Sequence, residues 1–216
     1  MGLVLFDLDN TLVDRDQVFR RWAVDFAARH DLGSDSVDWI CDTDARGLAT
    51  REHLFEAMRA RFELETTVEK LLAEYRPNLL PFFETQPEAI SAIRRLQADG
   101  WKIGVVTNGP PSQHDKLERI GVADLLDACC ISELVGCEKP HPAIFHEAAA
   151  RCGVALQGWM VGDRPDTDIE GARRVGLHTI WLPRGQPWPP HHKEPDGIAS
   201  SLQDAVNIIT RTPIGT

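Results

Sequence analysis

Long apolar runs are missing from this 216-residue chain. No stretch reaches the length needed to span a bilayer, so a membrane helix is not expected. Positive charge is also scarce: 23 Lys and Arg face 33 Asp and Glu, a formal net charge of −10. A field of that sign repels a polyanion, which sets nucleic acid aside as a bulk ligand. A small phosphate ester can still bind, because helix N-termini, a buried cation or a metal ion outweigh a distant surface charge. The five cysteines keep no regular spacing and are odd in number, which argues against a disulfide framework and for a reducing, cytoplasmic setting. A leader is not expected: the apolar start is too short for a signal-peptide core before Asp7 interrupts it, and Phe6 stands where a myristoylation signal wants Ser or Thr. With 43% hydrophobic and 26% charged residues, and no internal repeat, disorder and fibrous folds drop out. The length suits one sizeable core with a smaller appended lobe.

Short apolar runs are what the chain does have. Leu3 to Leu8, Ile103 to Val106, Ala128 to Ile131, Trp159 to Val161 and Thr179 to Trp181 read as buried parallel strands. Helical patterns with end signals alternate with them. Thr85 and Glu88 form a possible capping box ahead of Ile90, Ile93 and Leu96; Pro142 opens a second helix that stops before Gly153; Ile169 to Val175 gives a third. This alternation predicts an α/β fold, a doubly wound, mainly parallel Rossmann-like sheet with ligands beyond the carboxyl ends of its strands. Residues 15–81 break the rhythm. They hold amphipathic helices, one beginning at Val18 and Trp22, one over Arg51 to Phe62, and one capped by Thr66 with Glu69 that ends before Pro77. The expected organisation is therefore a core of residues 1–14 and 82–216 with an all-helical insertion, 15–81, acting as a lid. Residues 183–197, with five prolines, read as a surface loop.

Phe6-Asp7-Leu8-Asp9-Asn10-Thr11 places two carboxylates where a buried strand runs out. On an extended chain, side chains at i and i+2 share a face, so both acids would look into one site. Two adjacent carboxylates repel, and a divalent metal near one of them allows nucleophile and proton donor to be separate roles. Taken alone, the segment is equally a strand end followed by a turn. Three more features follow at strand ends. Thr107-Asn108-Gly109 offers a hydroxyl, backbone amides and close approach to phosphoryl oxygens. Lys139 precedes a helix whose positive end would face the same anion. The loop from Asp163 to Asp168 is rich in acids that serve as metal ligands or merely as helix caps. His191-His192 and Cys129-Cys130 are adjacent pairs that seldom converge on one ion.

Together, in this order on one sheet, these motifs resemble the haloacid dehalogenase superfamily of hydrolases over nearly the whole chain. Asp7 and Asp9 match its first motif, Thr107 the second, Lys139 the third, and Asp163 with Asp168 the fourth. The helical insertion resembles the superfamily's cap. Thr167 stands where many members have Asn, and His141 where many have Asp. The resemblance implies a Mg²⁺-dependent phosphohydrolase of a small phosphorylated metabolite. Asp7 would be the nucleophile, and Asp9 the general acid and then the base. Thr107, Asn108, Gly109 and Lys139 would hold the phosphoryl group. The Asp7 carboxylate, the Asp9 carbonyl and Asp163 would bind the metal, with Asp168 ordering a water beside it. Arg46 and Arg51 in the insertion are candidate contacts for a substrate anion. A phosphomutase on the same core and a silent binding or regulatory module are the rival readings, whereas the dehalogenase branch generally lacks an acid at the place of Asp9.

Overall fold

The structure, a computed structural model, describes residues 2–212. The chain divides into two units, one of Met1–Val13 with Thr85–Thr216 and one of Asp14–Glu84.

The first unit is built on a sheet in the order β3-β2-β1-β4-β5-β6, formed by Leu3–Phe6 (β1), Lys102–Thr107 (β2), Ala128–Ile131 (β3), Gly158–Gly162 (β4), His178–Trp181 (β5) and Gly197–Ile198 (β6). Every pairing is parallel. All four residues of β1 are fully buried, because a central strand of a parallel sheet is covered on both faces and its apolar run needs no polar alternation. The register aligns Phe6 with Val105 on one side and Val161 on the other, so β1, β2 and β4 run out within two residues of one another. Asp7, Thr107 and Asp163 therefore gather at one edge of the sheet. At β1 the chain order of the strands reverses, and this is where the open α/β architecture forms its crevice.

Helices flank the sheet: α5 (Pro87–Ala98), α6 (Gln113–Arg119), the single turn α7 (Ser132–Val135), α8 (Pro142–Arg151), α9 (Glu170–Arg174) and α10 (Leu202–Arg211), numbered in chain order after the helices of the other unit. Ile144, Phe145 and Ala148 of α8 join Leu3, Leu5, Val106 and Met160 in one buried cluster. Their side chains lie on the face that the strand pleat gives to alternate residues.

Several local expectations need correction. β1 ends at Phe6 rather than Leu8, because the amides of Thr11, Leu12 and Val13 all turn back to the Leu8 carbonyl at 3.0–3.3 Å. Thr85 caps nothing: α5 begins at Pro87, preceded by Gln86, whose amide is spent on Ile120 O at 3.0 Å. The proline supplies the helical φ that a cap would otherwise prepare. The loop of prolines stops one residue early, since Gly197 already pairs in β6.

The second unit is all helical: α1 (Arg15–Arg29), α2 (Ser36–Asp44), α3 (Arg51–Phe62) and α4 (Val68–Leu79). Its centre is aromatic, with Trp22 and Tyr75 edge to face at 5.0 Å and Phe55 5.5 Å from Tyr75. The cap of α4 is Thr67, which accepts from Lys70 N, rather than Thr66. Pro77 lies inside this helix instead of ending it. In the last turn a proline forfeits only one backbone bond, and burial of Leu71, Tyr75 and Leu79 on one face holds the turn. Asp44, only 1% exposed, receives Arg15 (Nη2 at 2.8 Å) and Arg51 (Nη2 at 2.6 Å). Burial works to raise its pKa, but the hydrogen bonds and charges of Arg15 and then Arg51 outweigh it and hold the carboxyl below its ordinary value. Asp44→Ala strands a buried guanidinium and is expected to cost about 3 kcal/mol, read as a lower urea midpoint; a midpoint unchanged from wild type would refute that role.

Candidate active site

Asp7 leaves β1 with its amide still paired to Val161 O at 2.9 Å. The residue is 7% exposed, and its side chain accepts from Lys139 Nζ at 2.6 Å. The same ammonium lies 2.7 Å from Asp168 Oδ1, so one lysine is shared by two buried acids. What holds Lys139 in place is Asn108: its Nδ2 donates to Lys139 O at 2.9 Å, and Lys139 N donates to Asn108 Oδ1 at 2.8 Å. The Asn108 side chain thus ties the end of β2 to the loop ahead of α8.

Asp168 comes from the second strand neighbour of β1. After β4 the chain makes a π-helical turn, Pro165–Ile169, and Arg164 N donates to Asp168 Oδ2 at 2.9 Å. This folds the fully buried carboxylate back over Gly162, where an added Cβ would stand 2.2 Å from Oδ2. Glycine is required there by close approach, not by torsion. Asp163 is fixed through its backbone, since Trp181 Nε1 on β5 donates to its carbonyl at 2.7 Å. Asp7, Asp163 and Asp168 each bring an oxygen within 4.8 Å of the others, and among the described residues no second cluster of His, Cys, Asp or Glu does this.

The electrostatics follow from the count of charges. Burial first, and then Asp168 and Asp9, push the Asp7 carboxyl up to about 7 against the opposing pull of Lys139. Burial disfavours the ammonium of Lys139, yet Asp168 and Asp7 together outweigh it and raise its pKa. Three carboxylates around one cation leave an excess of negative charge in a dry place.

Asp9 faces different partners. Lys116 Nζ donates to its two carboxylate oxygens at 2.9 and 2.6 Å, and Gln113 Nε2 to Oδ2 at 3.0 Å. Gln113 Nε2 also donates to Thr107 Oγ1 at 2.8 Å. Gly109 departs from expectation: its amide donates to Ser132 Oγ at 2.9 Å rather than standing open to an anion, and its missing Cβ admits Gln113, whose Cγ would lie 3.1 Å away. In the helical unit, Arg51 is held by Asp44, by Ala49 O at 2.8 Å and by Tyr75 Oη at 3.3 Å. Arg46, one-third exposed in left-handed backbone, lies 3.4 Å from Asp16. Gln113, Lys116, Ser132, Trp181 and Arg184, which donates to Asn10 O and Thr11 O at 2.8 and 3.0 Å, carried no motif by which a sequence reading could single them out.

A parallel α/β sheet with buried acids, a lysine and a threonine at the carboxyl ends of its central strands places a polar site where open sheets of the Rossmann-like kind bind their ligands. The chain belongs to the haloacid dehalogenase-like hydrolases: the model of that family matches residues 1–176. It is 31% identical over 195 residues to a glyceraldehyde 3-phosphate phosphatase of Pyrococcus abyssi, a match covering 85% of this chain and 82% of the relative. It is also 31% identical to the pyrimidine 5'-nucleotidase YjjG of Escherichia coli, covering 96% and 97%. Among solved structures it resembles the putative HAD-hydrolase YfnB of Bacillus subtilis, determined bound to magnesium, with a TM-score of 0.81 and 23% identity over 96% of this chain and 98% of that one. That likeness shows the fold. The relatives make the chain a hydrolase of the phosphatase kind. No helix among the described residues is long and apolar enough to cross a membrane.

Proposed function

We propose that this protein is a Mg²⁺-dependent phosphohydrolase of small phosphorylated metabolites that works through an aspartyl-phosphate on Asp7 in the cytoplasm. The observation that carries the reading is the Asp7–Lys139–Asp168 arrangement at the end of the central strand, with Asp163 alongside. The excess negative charge there suits a hard divalent cation with oxygen ligands. Asp7, Asp163 and the Asp9 carbonyl would hold it, with Asp168 behind them. When bound, the ion supplies neutralisation of the charge on the transferring phosphoryl group.

The residues divide the chemistry as follows. An Asp7 oxygen attacks phosphorus and the ester bond to the leaving oxygen breaks, with the proton of Asp9 going to the departing alkoxide. Asp9, now a carboxylate, takes a proton from water as that water attacks phosphorus; the Asp7–phosphorus bond breaks, releasing inorganic phosphate and restoring both acids. Lys139 and Thr107 stabilise charge on the phosphoryl oxygens, and the backbone amide of Asn108 is proposed to assist. The side chain of Asn108 holds Lys139 instead of meeting substrate. Arg46, paired with Asp16, and Arg51, paired with Asp44, are kept as candidate contacts for a further anionic group of the substrate. The relatives act on glyceraldehyde 3-phosphate and pyrimidine nucleotides by their names, which supports a small phosphomonoester as the substrate class.

With p-nitrophenyl phosphate, excess EDTA is expected to abolish turnover and added Mg²⁺ to restore it. On an alkyl phosphate such as β-glycerophosphate, Asp9→Asn is expected to slow both formation and breakdown of the phosphoenzyme by roughly 10²-fold or more in single-turnover measurements. Undiminished turnover without metal, or wild-type rates in Asp9→Asn, would overturn the proposal.

A further inference from the structure

We infer that Gln113 and Lys116, one face of α6, are positioning residues that hold the Asp9 carboxylate in the orientation from which it exchanges its proton. The inference rests on Asp9 being the general acid and base. Residues three apart on a helix lie on the same side, and here both send nitrogen donors to one carboxylate: the Lys116 ammonium to both oxygens and the Gln113 amide to Oδ2. Gln113, 3% exposed, uses the same nitrogen to reach Thr107 Oγ1, so a single amide sets the separation of Asp9 from a phosphoryl-binding hydroxyl.

Stability does not account for the arrangement. A partly exposed lysine–carboxylate pair contributes little, while ordering a lysine and a glutamine costs rotamer entropy that offsets it. What the grip does accomplish is to remove the free rotation of a carboxylate that stands on a turn rather than on a strand. Asp9 follows the end of β1 by three residues, and the chain reverses around Leu8 immediately beside it. Nothing in an irregular turn aims a side chain to within the few tenths of an ångström that proton transfer needs; α6, anchored by buried Leu117, does. The glycine at 109 belongs to the same device, because it leaves the space that Gln113 occupies. Deleting either grip leaves the acid present but poorly aimed.

A misaimed acid matters in proportion to how much the leaving group needs its proton. Lys116→Met, Gln113→Met and Asp9→Asn would each be compared with wild type on p-nitrophenyl phosphate, whose leaving group departs readily without a proton, and on β-glycerophosphate, whose alkoxide does not. For Lys116→Met and Gln113→Met, kcat/KM on β-glycerophosphate is expected to fall about 10-fold or more, with less than about 3-fold loss on the nitrophenyl ester and thermal midpoints close to wild type. Lys116→Arg is expected to recover much of the lost rate. Asp9→Asn should show the same leaving-group dependence more steeply. If it does and the two α6 variants lose activity equally on both substrates, the positioning role is overturned while Asp9 keeps its own. A flat response in Asp9→Asn overturns the acid–base reading and this inference together. The two methionine variants are made separately, so the failure of one to fold leaves the other to decide.

Discussion

Asp7→Asn is expected to lose about 10⁴-fold or more in kcat and, stripped of metal at pH 8, to melt at a higher temperature than the wild type. The first half follows from removing the oxygen that forms the covalent intermediate. Asparagine keeps the shape and can still accept from Lys139, so binding and fold survive. The second half comes from the charge count. Burial and the neighbouring Asp168 and Asp9 raise the Asp7 carboxyl from its ordinary 3.8 to about 7. A raised carboxyl pKa means that the native state binds its proton more tightly than the unfolded chain does. That contribution to stability is complete below pH 3.8, and it is lost as the pH climbs through about 7. In EDTA the wild type should therefore weaken between pH 5 and pH 8, and Asp7→Asn should not. The penalty relieved is about 2–4 kcal/mol, at roughly 2–4 °C per kcal/mol for a chain of this size. Mg²⁺ should raise the midpoint of the wild type and scarcely that of the variant. A metal-free Asp7→Asn that melts below the wild type at pH 8 would show that the acid cluster stores no such repulsion.

Gly162→Ala is expected to do more damage to the fold than any other single methyl group added at the site. The new Cβ would lie 2.2 Å from Asp168 Oδ2, 2.4 Å from Cγ and 2.5 Å from Cβ. Trimming the carboxylate alone cannot relieve the clash, since the Asp168 Cβ is itself too close. Either the π-helical turn moves as a body or β4 bends away from β1. Both outcomes separate Asp168 from Lys139 and Arg164 N, leaving buried charge without its partners. A cost of about 5 kcal/mol is expected, together with at least a hundredfold loss of turnover in whatever folds. Asp168→Asn, which keeps the shape and loses only the charge, should be far milder in thermal stability. Equal midpoints for the two variants would show that the turn yields freely and that the glycine is not required there.

The strands of the core were legible because a strand covered on both faces must be apolar without interruption, and runs such as Ile103 to Val106 say so directly. β6 was not, being two residues of which one is glycine. Helix α2 escaped because Ser36–Asp44 mixes Asp, Ser and Thr with only Ile40 buried among its apolar residues, too little for a 3.6-residue period to emerge. The misread caps share one cause. Thr66 is followed by Thr67, and Thr85 by Gln86-Pro87, so adjacent residues offered competing starts that only the backbone decides between. At the site, Asp7, Thr107 and Asp163 stood out as polar residues at the ends of apolar runs, and the sheet gathers them once it forms, whereas Lys139 and Asp168 are brought in by Asn108 and by the turn after β4. The same reasoning had no purchase on Gln113 and Lys116, which look like any solvated helix face until α6 is turned toward Asp9. Nor could it distinguish the backbone amide of Asn108 from its side chain, which is occupied in holding Lys139.

The central position of β1 also bears on how the protein is made. Its four apolar residues leave the ribosome well before their neighbours in the sheet, which are residues 102–105 on one side and 158–161 on the other. At about 5–20 residues per second, the innermost strand waits roughly 8–30 seconds for its second flank. During that interval the intervening 14–84 segment, whose contacts are local and helical, is free to form first. Synthesis thus proceeds with the future heart of the enzyme still uncovered, and the vulnerable stage in its biogenesis is the wait for β4 to emerge.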